Sequence, residues 1–128
     1  MVAAADPRPH LPHLVPIDGY GKGGFRFGGM SHRGSLLCLP SGIWAWPVTT
    51  PSEITEESLQ RVFAEADDIA LLLIGAGRER WIMPDPLRLQ LHQAKISVEV
   101  ARTGTAVSTY NILLGEGRRV AAALIVVD

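Results

Sequence analysis

The sequence predicts a single α/β domain with a partly parallel sheet and helices on its faces. Three observations predict it. From Thr55 onward, segments with helical apolar spacing alternate with apolar runs of strand length, the pattern of a sheet whose strands are joined by helices. Before Thr55 the apolar segments are short, rich in aromatic residues and broken by glycine and proline, as β-strands are. At 128 residues the chain is long enough for one core and too short for two comfortable ones.

Residues 1–16 hold four prolines and two histidines without periodicity and are expected to form a flexible extension, leaving 17–128 as the domain. Ile17 to Met30 mixes Tyr20, Phe25 and Phe27 with six glycines, which suits short bent strands with both phenylalanines on one face. Gly34 to Leu39 and Ile43 to Trp46 flank Pro40-Ser41-Gly42 and predict a hairpin in which Trp44 and Trp46 point the same way. Thr55 is expected to cap a helix through Ala66, since Glu56 and Glu57 suit its first turn and Leu59, Val62, Phe63 and Ala66 form one stripe. Ile69 to Ile74 reads as a central strand covered on both faces. Asp85 before Pro86 predicts the cap of a second helix, and Ile96, Val98 and Val100 alternate with polar residues as a strand. Thr103 is expected to cap a third helix that buries Ala106, Tyr110, Leu113 and Leu114 and exits at Gly115 or Gly117 into a final strand from Arg118.

The third helix has an odd composition. Thr109 and Asn111 are poor residues for a helix interior because their short polar side chains compete for backbone hydrogen bonds, yet they flank Tyr110 on the apolar stripe. The order T-G-x-A, T-Y-N, E-G-R-x-V-A-A-A-L across Thr103 to Leu124 closely resembles the Mth-domain family, whose members include a mitochondrial assembly factor of NADH dehydrogenase (complex I). The resemblance covers roughly Ile17 to Val127 and is strongest in the last third. It implies a three-layer domain with a mixed, largely parallel five-stranded central sheet and a small N-terminal β element. It also implies no established reaction, and a non-enzymatic role through protein contacts, with a component of membrane-complex assembly as the partner.

Charge and composition exclude several functions. Twelve basic against thirteen acidic residues, with no basic arm, give no field to attract nucleic acid. The longest unbroken apolar run, Val120 to Val127, has eight residues, whereas a membrane-spanning helix needs about 20. Cys38 stands alone in an apolar run, so no intrachain disulfide is available and a buried thiol in a reducing compartment is expected. Residues 1–16 carry neither a secretory nor a mitochondrial leader pattern, and the expected address is the cytoplasm. His10, His13, His32 and His92 do not cluster with other ligands, so no metal or cofactor is expected, and no nucleophile with an adjacent base is visible. Self-association is compatible with the sequence.

The candidate small-molecule site follows from topology. Parallel strands ending at Ile74 and Val100 would deliver their loops to one sheet edge, where open α/β sheets place ligands. Gly75, Gly77, Arg78 and Arg80 from one loop would then meet Arg102, Thr103, Gly104 and Thr105 from the other. Free N–H groups, hydroxyls and guanidinium groups there suit a carboxylate or phosphate. The alternative is that the glycines only turn the chain, Thr103 only caps and the arginines are solvated. Gly75-x-Gly77 is not a dinucleotide fingerprint, because Arg80 occupies the third glycine position. Thr109, Tyr110 and Asn111 form a second candidate polar site, with burial of Tyr110 against the sheet and attachment of a loop by Asn111 as its structural alternative. Trp44, Trp46, Trp81, Phe25 and Phe27 would form an interaction patch if one face of the hairpin were uncovered.

Overall fold

The computed structural model describes residues 8–128. Its glycine-rich start folds into an antiparallel meander of β1 (Gly19–Gly21), β2 (Gly24–Phe27) and β3 (Met30–Arg33). Positive φ at Lys22 and Gly23, and again at Gly28 and Gly29, makes both connections two-residue turns whose twist matches the strands. Alternation buries Phe25 and Phe27 and leaves Arg26 on the outer face.

The second sheet contains β4 (Ser35–Leu39), β5 (Gly42–Trp46), β6 (Leu71–Gly75), β7 (Ser97–Ala101) and β8 (Val120–Leu124), in the order β5-β4-β8-β6-β7. The β4–β5 hairpin is antiparallel, β8 is antiparallel to β4, and β6 is parallel to both β8 and β7. This is the mixed five-stranded sheet that the Mth-domain resemblance implies. Helices α1 (Gln60–Ala64) and α2 (Asp85–Gln93) cover one face, where Leu59, Val62, Leu87 and Leu91 pack with Trp44, Trp46, Leu72 and Ile74. Helix α3 (Thr103–Gly115) and the meander cover the other, where Ala106, Val107, Tyr110, Phe25 and Phe27 meet Leu36, Cys38, Leu73 and Ala122. Three layers result, with β8 buried along its whole length.

Several local expectations change. The Leu59–Ala66 stripe yields only the five regular helical residues of α1, because Thr55 and Ser58 satisfy each other's backbone N–H groups and hold the preceding residues in turns. Thr55 therefore caps this turn and not a long helix. Pro84 stands at the cap of α2, with Asp85 already helical. Gly117, at φ 75°, supplies the exit of α3. Gly117 donates to Leu114 and Arg118 to Leu113, closing the α3 carbonyls before β8.

The described part of the expected extension lies against the domain. Leu11 bridges to Ile43, the N–H of His10 reaches the Ile43 carbonyl at 2.6 Å, and a side chain at Gly42 would strike the Leu11 carbonyl. The edge of β5 offers the backbone partners that a free tail would lack. The rest of that expectation, residues 1–7, lies outside the described residues. The aromatic patch is likewise not exposed: Trp44, Trp46, Phe25 and Phe27 are buried, and Trp81 is half-buried against the α1–α2 core.

Candidate functional site

The parallel pairing of β6 and β7 in register delivers their C-terminal loops to one edge, directly beside the start of α3. Thr103 joins them. It is the first residue of α3, Arg102 holding the cap position, and it is fully buried. Its Oγ1 accepts the Gly77 N–H at 3.0 Å and donates to the Ile125 carbonyl at 2.7 Å, while its own N–H reaches the Gly77 carbonyl at 3.0 Å. The expected helix cap is thus a latch between the β6 loop, α3 and the exit of β8. The difference has a physical cause, since the chain leaving β8 presents the Ile125 carbonyl to a buried hydroxyl that would otherwise need a partner.

Outside the latch lies a cleft of about 500 Å³ lined by Gly77, Arg78, Arg102, Gly104, Thr105 and Ser108, with Tyr20, Gly21, Val127 and Asp128 closing it. Five of the eight residues expected at this edge therefore come together. Gly75 is buried beneath the latch, where a Cβ would lie 2.9 Å from the Thr103 Cα, and Arg80 does not line the cleft. Arg78 donates to the backbone oxygen of Asp128. Arg102 makes no side-chain hydrogen bond or ion pair among the described residues. Tyr20, half exposed, crosses from the meander to the first turn of α3, where any side chain at Gly104 would collide with its hydroxyl. A cavity of this size with two guanidinium groups and a helix start can hold a small anion.

Tyr110 and Asn111 face elsewhere. The Tyr110 hydroxyl donates to the Val15 carbonyl at 2.8 Å, and the Asn111 amide both accepts from the Ile17 N–H at 2.8 Å and donates to its carbonyl at 2.9 Å. These polar groups are committed to the segment entering the meander. Thr109 is half-buried beside them. Burial, and then the adjacent Cys38, raises the Tyr110 phenol above its ordinary range, and burial pushes the Cys38 thiol up to about 12. Neither is ionised at neutral pH.

His10 and His32, distant in sequence, meet at 3.0 Å between ring nitrogens, and the other His32 nitrogen lies 3.2 Å from the Ser35 carbonyl. Burial, followed by the charge of His10, lowers the pKa of His32. Among the described residues no group of three His, Cys, Asp or Glu side chains is placed to hold a metal ion.

The family model for a protein of unknown function, DUF498/DUF598, matches residues 17–125. The chain belongs to this family. The DUF498/DUF598 chain is 37% identical over 117 residues to an uncharacterized protein of Rhodobacter capsulatus, covering 91% of this chain and 89% of that one. It is 32% identical to the NADH dehydrogenase [ubiquinone] 1 alpha subcomplex assembly factor 3 of Rattus norvegicus over 90% of its own length, and it spans 62% of that factor. Among solved structures, an outer membrane protein from Bartonella henselae shares 50% identity at a TM-score of 0.90, covering 93% of this chain and 100% of that one. A Bordetella pertussis protein described as a Mth938-like domain shares 27% identity at a TM-score of 0.77, covering 98% and 92%. The Mth-domain resemblance read from Thr103 to Leu124 therefore holds for the whole DUF498/DUF598 domain.

Sequence reasoning missed Tyr20, Ser108 and Asp128 in the cleft and the His10–His32 contact. Ser108 had a usable signal, lying one helical turn beyond Gly104 on α3. Tyr20 and Asp128 reach the cleft through meander packing and the exit of β8, which no local pattern encodes.

Proposed function

We propose that this protein is an accessory factor acting through protein contacts in the assembly of a membrane-bound respiratory complex. One observation carries the reading: similarity to the complex I assembly factor 3 of several animals, such as 36% identity to the Bos taurus protein over 89% of this chain. The strongly exposed Ile82, on the loop between β6 and α2, supplies an apolar contact point. No helix among the described residues is long and apolar enough to cross a membrane. The role is set in the cytoplasm, a reading supported by the lone buried cysteine.

The test is deletion of the gene in its native cell, with respiratory NADH dehydrogenase resolved on native gels. A fall in fully assembled complex with accumulation of subcomplexes is expected. An unchanged complex content contradicts the reading.

A second reading is favoured by the cleft itself, which gathers Arg78 and Arg102 at the start of α3. In this reading the domain binds a small anionic ligand there, as a binder or an enzyme. A thermal shift with anionic metabolites tests it, because a ligand at 100 times its dissociation constant stabilises by about 2.7 kcal/mol. A flat response across the set contradicts it.

A further inference from the structure

We propose that the cleft at the start of α3 is one half of a larger anion site, completed by the outer face of the meander, whose ligand is a phosphorylated molecule with at least two negatively charged groups. The proposal rests on the second reading above and extends it to a surface that reading does not include. A second cleft, of about 460 Å³, lies on β1, β2 and β3 and shares Tyr20 and Gly21 with the first. Lys22, Arg26 and Arg33 line it. Strand register explains their convergence: Arg26 stands opposite Ser31 and Gly19, and Arg33 stands opposite Gly24, so both arginines share the outer face with small neighbours. The trough between them is concave because those neighbours leave it unfilled.

Charge distribution separates this surface from the rest of the molecule. The two clefts take five of the twelve Lys and Arg residues against one acidic residue, Asp128, on a chain whose net charge is −1. Lys22, Arg26, Arg33 and Arg102 make no side-chain hydrogen bond or ion pair among the described residues. Cations kept close together without carboxylate partners repel one another, and an anion relieves that repulsion. A single phosphate would engage one cleft only. Two anionic groups, one on Arg78 and Arg102 and the other on Arg26 and Arg33, would use both, with the ligand reaching around the β1 edge at Tyr20 and Gly21, which the two clefts share. Each cleft lies in the volume range of small-molecule sites, and their concavity suits an inserted phosphate better than a flat charged surface.

The experiment titrates the full chain with tripolyphosphate and with ATP, following backbone amide resonances by NMR, in wild type, Arg102→Gln, the double variant Arg26→Gln/Arg33→Gln, and Arg88→Gln on α2 as a control. These side chains are exposed, and each variant's amide spectrum reports whether it is folded. Saturable binding is expected, with shifts in both clefts, about tenfold or greater weakening in Arg102→Gln and in the double variant, and less than about twofold change in Arg88→Gln. Sedimentation with cardiolipin vesicles, whose headgroup carries two phosphates, distinguishes the source of the phosphate. Vesicle binding that needs both arginine sets, with no saturable tripolyphosphate or ATP binding, supports the site with a lipid headgroup as its ligand. Weakening by Arg102→Gln alone overturns the two-cleft site and leaves the second reading standing. No arginine-dependent binding to either soluble probe or to vesicles overturns both.

Discussion

Replacing Thr103 with valine removes one hydroxyl from a fully buried position and leaves the side-chain shape nearly unchanged. Two backbone groups then lose their partner, the Gly77 N–H and the Ile125 carbonyl, at residues that are themselves buried. A buried group left unsatisfied costs about 1–3 kcal/mol, so Thr103→Val is expected to lose about 2–6 kcal/mol. A loss of that size is a large fraction of the 5–15 kcal/mol typical of a domain. Thr103→Ser keeps the hydroxyl and loses one buried methyl, for about 1 kcal/mol. The alternative role of Thr103, a helix cap, gives a different pattern, since a lost cap costs typically about 1 kcal/mol. Urea unfolding followed by circular dichroism separates the two, with stability in the order wild type, Thr103→Ser, Thr103→Val. A Thr103→Val loss below about 1 kcal/mol would refute the latch.

Three further outcomes follow from the packing. Tyr110→Phe should cost about 1–2 kcal/mol and Asn111→Ala somewhat more, and each should speed proteolysis within residues 8–18, because their side chains hold the Val15 and Ile17 backbone; unchanged cleavage would contradict that tether. Cys38 should resist thiol reagents in native protein at neutral pH and react on unfolding, since it is buried and its pKa stands near 12; rapid native labelling would contradict the packing. His32 has a folded pKa below its ordinary 6.5, so the unfolded chain binds the extra proton first. Its contribution to stability is therefore present above pH 6.5 and lost as pH falls from there through the lowered folded value. His32→Gln should flatten the fall in stability as pH drops below about 6.5, and an unchanged slope would contradict the assignment.

Much of the fold was legible because local pattern and tertiary role agree. The β6 run, the β7 alternation and the Thr103–Leu124 composition each specify an element that the sheet then uses as read. Legibility failed where one signal serves two structures. The apolar stripe of α1 fits two helical turns of a longer helix, but Thr55 and Ser58 commit their side chains to nearby backbone and shorten it. Thr103 fits a cap equally well, and only the position of Ile125 after β8 decides for the latch. The site was half visible for the same reason. Loops that follow parallel strands can be placed from topology. The approach of Tyr20, the basic face of the meander and the His10–His32 contact arise from elements far apart in sequence, which periodicity does not relate.

We propose that the edge where the β6 and β7 loops meet α3 is the working surface of the protein. Complementation of the deletion strain tests this most directly, comparing wild type, the folded double variant Arg78→Gln/Arg102→Gln, and Arg88→Gln, with assembled NADH dehydrogenase as the readout. Wild type and Arg88→Gln should restore the complex while the double variant should not. Full restoration by the double variant would contradict it.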